Sequence, residues 1–134
     1  PDRTGARHRH LLADDDAPQR DALGALFERL GYTVYLAADG RDALQMAEAC
    51  DYRIDAYLLD CNMPGHNGHE CLAMLHRAAP QAPVILLGAH LSDDDRRTLR
   101  AMGAGVVLTK PIETATLARV VRDLLDRAAQ VAAQ

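Results

Sequence analysis

Apolar and polar positions alternate along this chain in two different periods, and the two periods take turns. Short apolar runs fit strands: His10 to Ala13, Tyr32 to Ala37, Asp55 to Asp60, Pro83 to Leu87 and Val106 to Leu108. Between them, apolar residues recur at spacings of three and four, as one face of a helix requires. Leu23, Leu26, Phe27 and Leu30 predict a helix from Pro18 to Leu30 that ends at Gly31. Asp39-Gly40 turns the chain into a second helix, with Ala43, Leu44, Met46 and Ala47 inward and Cys50 at its end. Cys71, Leu72, Met74 and Leu75 belong to a third, which starts near Gly68 and stops before Pro80. Ser92 followed by three aspartates predicts a capped helix that reaches Met102, before Gly103. Leu117, Val120, Val121, Leu124 and Leu125 form the inward stripe of the last helix, with a frayed tail expected over 129–134.

Strand and helix thus alternate five times, which predicts an α/β domain: a parallel sheet with helices on both faces, joined by right-handed crossovers. Five strands suit the doubly wound, flavodoxin-like order 2-1-3-4-5, in which strands one and three meet at the switch point. Val84 to Leu87, apolar on both faces, reads as a central strand. Residues 1–8 read as a polar, basic linker or tail, and 9–128 as the domain.

Composition narrows the function. At 134 residues the chain is one domain with room for a core. Its net charge of -4 gives no overall attraction to nucleic acid or anionic membrane, and one Phe with no Trp leaves few surfaces for base stacking. The 3 cysteines, Cys50, Cys61 and Cys71, lack metal-like pairing, and no apolar run approaches the roughly 18 residues of a membrane span; reduced thiols and a cytoplasmic location are expected.

Chemistry gathers where strands end. The first strand runs into Asp14-Asp15-Asp16 and the third delivers Asp60, followed by Cys61-Asn62-Met63-Pro64-Gly65. Asp60 alone reads as a turn cap, and the aspartate triplet as a solvated helix cap before Pro18. The predicted topology, however, brings Asp14, Asp15 and Asp60 to one edge, as an oxygen-rich pocket that favours Mg²⁺ over Ca²⁺. Lys110, just before Pro111 at the end of the fifth strand, points an ammonium at the same rim. Cation and ammonium together suit a phosphoryl group, with Asp60 as the nucleophile that carries it as an acyl phosphate. Mutual repulsion is expected to raise the pKa of at least one of these carboxylates.

Leu11-Leu12-Ala13-Asp14-Asp15-Asp16, Asp60-Cys61-Asn62-Met63-Pro64-Gly65 with Gly68, and Lys110-Pro111 together resemble the receiver domain of two-component response regulators, over roughly residues 9–128. The resemblance implies that Asp60 accepts the phosphoryl group from a histidine kinase or phosphotransfer protein. It implies that Asp15, Asp60 and the Asn62 carbonyl ligate Mg²⁺, that Asp14 joins them through water, that Lys110 pairs with the phosphoryl oxygens, and that the Lys110-Pro111 bond is cis. Such a domain catalyses its own phosphorylation and dephosphorylation without being a conventional enzyme. Two positions depart from the pattern. Gly88 stands where a Ser or Thr hydroxyl is usual, leaving the Ala89 amide as a replacement donor, and Val107 stands where a switch aromatic is usual. A hydroxyl introduced by Gly88→Thr is expected to strengthen the conformational response. The same pieces fit a stand-alone regulator or a receiver from a hybrid histidine kinase. The alternative class is a pseudo-receiver that docks a partner with little phosphate turnover. A haloacid dehalogenase type hydrolase ranks last, because Asn62 stands where its second aspartate belongs.

Overall fold

The computed structural model describes residues 8–63 and 68–133; Pro64 and Gly65 of the predicted loop, and most of the predicted N-terminal tail, lie outside the described residues. Strands β1 (Arg9–Ala13), β2 (Thr33–Ala37), β3 (Ala56–Asp60), β4 (Val84–Gly88) and β5 (Val106–Thr109) alternate with helices α1 (Ala17–Arg29), α2 (Gly40–Ala49), α3 (Gly68–Ala78), α4 (Asp93–Ala101) and α5 (Thr114–Ala133). All strand pairs are parallel, in the order β2-β1-β3-β4-β5. That is the flavodoxin-like sheet expected from the alternation. α5 is longer than the pattern predicts: it continues to Ala133 through the expected tail. Its last residues, Arg127-Ala128-Ala129-Gln130-Val131-Ala132-Ala133, are mostly strong helix formers, so the helix persists beyond the stripe that docks it.

Alternation along each strand sorts side chains onto two faces. Leu11, Tyr57, Leu59, Val84, Leu86 and Val107 pack with residues of α2, α3 and α4. Leu12, Leu58, Ile85 and Leu87 pack with Leu23 and Phe27 of α1 and with the Leu117, Val121, Leu124 and Leu125 stripe of α5. Burying Phe27, which is 1 % exposed, contributes about 1.5 to 3 kcal/mol. The helix ends follow the predicted chemistry. Asp16 caps α1, Asp39 caps α2, and Ser92 with Asp95 forms a reciprocal capping box on α4.

His10 is the one buried imidazole among the described residues, stacked on Tyr32 with ring centroids 4.1 Å apart and tilted against Phe27 at 5.8 Å. Its Nε2 has no hydrogen-bond partner. Burial, with some help from His8 and against the pull of Asp55, lowers its pKa from 6.5 to about 4. The unfolded chain therefore takes up the proton first as the pH falls. Stability from neutral His10 is complete above about pH 6.5 and is lost on acidification towards pH 4, on the order of 3 kcal/mol across the window. Replacing His10 by Phe keeps an aromatic stack without a titrating group. Urea midpoints measured at neutral pH and near pH 4.5 should diverge less in this variant than in the wild type; equal losses would place the acid sensitivity elsewhere.

Candidate functional site

The register of β1 against β3 pairs Ala13 with Leu59, so the next residue on each strand, Asp14 and Asp60, leaves the sheet at the same edge. Both are buried, 2 % and 6 % exposed, whereas Asp15 faces solvent. One carboxylate oxygen from each of Asp14, Asp15 and Asp60 lies within 4.8 Å of the others. The aspartate triplet divides its work: Asp16 turns back to the Gln19 N–H at 3.5 Å as the α1 cap, leaving its two predecessors for the site. Asp14 is fixed by the Asp16 N–H, which donates to its Oδ1 at 2.9 Å, and by its own N–H, which donates to the Ala37 carbonyl at 3.1 Å. Arg20 of α1 donates to the Asp14 carbonyl at 2.8 Å. Nothing in the residue pattern distinguishes Arg20 from an ordinary surface arginine, and the sequence reading misses it.

Asp60 accepts a hydrogen bond on each oxygen: from the Asn62 N–H on Oδ1 at 3.1 Å, and from Lys110 Nζ on Oδ2 at 3.0 Å. Each carboxylate oxygen carries further lone pairs for another partner. The Lys110 backbone is anchored to β4, because its N–H donates to the Gly88 carbonyl at 2.8 Å; the Lys110-Pro111 bond is cis. The Cys61 N–H donates to the Leu87 carbonyl at 2.8 Å, which ties the chain beyond Asp60 to β4.

Electrostatics at the cluster follow the expected direction, with a different leading cause. The Asp14 pKa is raised, and burial of the carboxylate is the largest cause; Asp60 adds a smaller push, opposed by the Asp16 N–H and the Lys110 ammonium. Repulsion is secondary because Lys110, 3.0 Å away, already offsets the charge of Asp60. Three carboxylates facing one ammonium still leave an excess of negative charge on hard oxygen donors. This donor set fits a small divalent cation of the Mg²⁺ kind.

The positions that depart from the usual pattern are filled in specific ways. A Cβ at Gly88 would lie 2.9 Å from Leu91 Cδ1 and 3.1 Å from Cys61 Sγ, so the space a hydroxyl side chain would use is occupied. Gly88→Thr must therefore displace Leu91 before its hydroxyl can reach the site, which the expectation for that variant did not foresee. Ala89 follows Gly88 at the end of β4 and is half-buried. Val107 is buried on the face covered by α4. On α4, Arg97 pairs with Asp94 and Arg96 reaches inward to β5. The thiols of Cys61 and Cys71 are pushed up to about 11 and about 12, mainly by burial, and Cys50 is the partly exposed one. Among the described residues, no helix is long and apolar enough to cross a membrane.

Known proteins share this fold. The chain is 39 % identical over 117 residues to the transcriptional regulatory protein CpxR of Escherichia coli (strain K12), covering 87 % of this chain and 49 % of that protein. It thus spans about half the length of the curated relatives it matches. The receiver domain of the Francisella response regulator 1452 superposes with a TM-score of 0.83 at 30 % identity, covering 90 % of this chain and 98 % of that one. The CheX-CheY-BeF3-Mg+2 complex from Borrelia burgdorferi superposes with a TM-score of 0.82 at 25 % identity, covering 87 % of this chain and 88 % of that one. The family model for the response regulator receiver domain matches residues 11–122, from the first core residue of β1 into α5 and across every strand end described above, and to that family this chain belongs.

Proposed function

We propose that this domain accepts a phosphoryl group on Asp60 from a phosphohistidine of a histidine kinase or phosphotransfer protein. The observation that carries the reading is the pairing of Asp60 with Lys110 at 3.0 Å inside a cluster of three carboxylates. An Asp60 oxygen forms the new P–O bond. The P–N bond to the donor imidazole breaks, its electron pair stays on that nitrogen, and the nitrogen takes up a proton from solvent. Lys110 holds its ammonium beside Asp60, where the incoming phosphoryl oxygens concentrate negative charge. Asp14, Asp15, Asp60 and the Asn62 carbonyl would hold Mg²⁺, which when bound supplies neutralising charge to the phosphoryl oxygens. The Ala89 N–H, after Gly88, would donate to the phosphoryl group in place of the missing hydroxyl.

On this reading the functional unit is residues 9–128, in a cytoplasmic protein that regulates a partner or an attached domain, the latter as in a hybrid sensor kinase. A pseudo-receiver is the second reading, favoured by Leu91 and Cys61 filling the space beside Gly88 and opposed by the complete acidic set. Mg²⁺ titration followed by amide resonances separates them. Saturable shifts at Asp14, Asp15 and Asp60, enlarged when beryllofluoride is added, are expected. No response at these three residues would remove the metal site and favour the docking module.

A further inference from the structure

One side chain joins α4 to the strand that carries Lys110. Arg96, half-buried, donates from Nη1 to the Val107 carbonyl at 3.1 Å and from Nη2 to the Thr109 hydroxyl. Thr109 immediately precedes Lys110, whose Nζ lies 3.0 Å from Asp60. A continuous path of short contacts therefore runs from the acidic cluster through the end of β5 to the first turns of α4. It passes through positions where neither Gly88 nor Val107 can supply a hydroxyl or a ring.

We propose that Arg96 is the positioning residue that reports the state of Asp60 to α4, its guanidinium taking the place of a hydroxyl and aromatic pair. This rests on Asp60 being the phosphoacceptor. A guanidinium is a rigid planar fork, so it fixes the separation of its two acceptors, here two residues apart on one strand. A phosphoryl group on Asp60 offers Lys110 a new acceptor beyond the carboxylate, and the ammonium follows it. Thr109 then shifts relative to Val107, and the fork must either release one acceptor or move with the strand. α4 is built to move with it. Its first turn is stiffened by the Ser92 and Asp95 capping box, and the Arg96 N–H donates to the Ser92 carbonyl at 3.0 Å inside that turn. Leu99, fully buried, keeps the far end of the helix on the core.

The test titrates beryllofluoride with Mg²⁺ into the whole chain as wild type, Arg96→Lys, Thr109→Val and the double variant, followed by amide and arginine Nε–H resonances. Lys keeps the charge but not the fork, and Val keeps the shape of Thr without its acceptor. In the wild type, the Arg96 Nε–H signal and the amides of α4 should move together with those of Asp60 and Lys110. In each single variant the shifts at Asp60 and Lys110 should persist while those of α4 fall at least twofold, and the double variant should fall no further. A wild-type response of α4 in Arg96→Lys, or additive losses in the double variant, would overturn the role of Arg96 alone. No response at Asp60 in the wild type would overturn the phosphoacceptor reading and this inference with it.

Discussion

Asp60→Asn should reduce labelling by acetyl phosphate at least about 100-fold, because an amide oxygen is a poor nucleophile and no other carboxylate of the cluster faces Lys110 as closely. The fold should survive. Asn preserves an acceptor for the Asn62 N–H, which donates to Asp60 Oδ1 at 3.1 Å. The lost ion pair to Lys110, whose side chain is 24 % exposed, is offset in part by relief of the repulsion Asp60 exerts on Asp14. Stability should therefore fall by less than the about 3 to 5 kcal/mol typical of breaking a fully buried ion pair. Mg²⁺ should bind more weakly, since one of the three carboxylates proposed to hold it is gone. Intact mass after acetyl phosphate treatment, beside a urea titration of the same variant, reads both effects. Undiminished phosphoryl incorporation would move the acceptor to another residue.

Gly68→Ala should lower stability and labelling together. The first residue of α3 sits directly on the chain leaving β3: its N–H donates to the Cys61 carbonyl at 3.2 Å. A Cβ there would come within 2.6 Å of Cys61 Cα and 2.9 Å of the Asp60 carbonyl oxygen. Both are backbone atoms and cannot rotate away, so α3 must retreat or the Asp60 segment must shift. Overpacking of this kind costs about 1 to 3 kcal/mol. Because the displaced backbone carries Asp60, the proposed phosphoacceptor, the labelling rate should also fall about tenfold or more. Gly105→Ala is the matched control, since its Cβ would meet nothing closer than 3.5 Å. Equal stability and equal labelling rate in the two variants would mean that the close approach at Gly68 is relieved without disturbing Asp60.

The acidic cluster was legible in the sequence because its residues sit where apolar runs stop. Asp14 follows Leu11-Leu12-Ala13, Asp60 follows Tyr57-Leu58-Leu59, and Lys110 follows Val106-Val107-Leu108-Thr109, so strand prediction alone carries each to a strand end. The capping roles of Asp16 and Ser92 were equally legible, since capping is a matter of residues within one turn. The residue pattern marks Gly68 only as the start of a helix. Its tighter constraint is the carbonyl of Asp60 behind it, which no local pattern encodes.

By itself, then, the sequence determined which segments are strands and helices, which side of each is apolar, and which residues end them. Periods of two and 3.6 are properties of the backbone and need no distant partner. Tertiary structure alone decided what burial does to the charge of Asp14, that Leu91 and Cys61 occupy the space beside Gly88, and that Arg96 reaches a backbone carbonyl on β5. These depend on how far one element lies from another once both have docked on the sheet. A long arginine or leucine side chain settles on whichever acceptor or gap that distance leaves within reach.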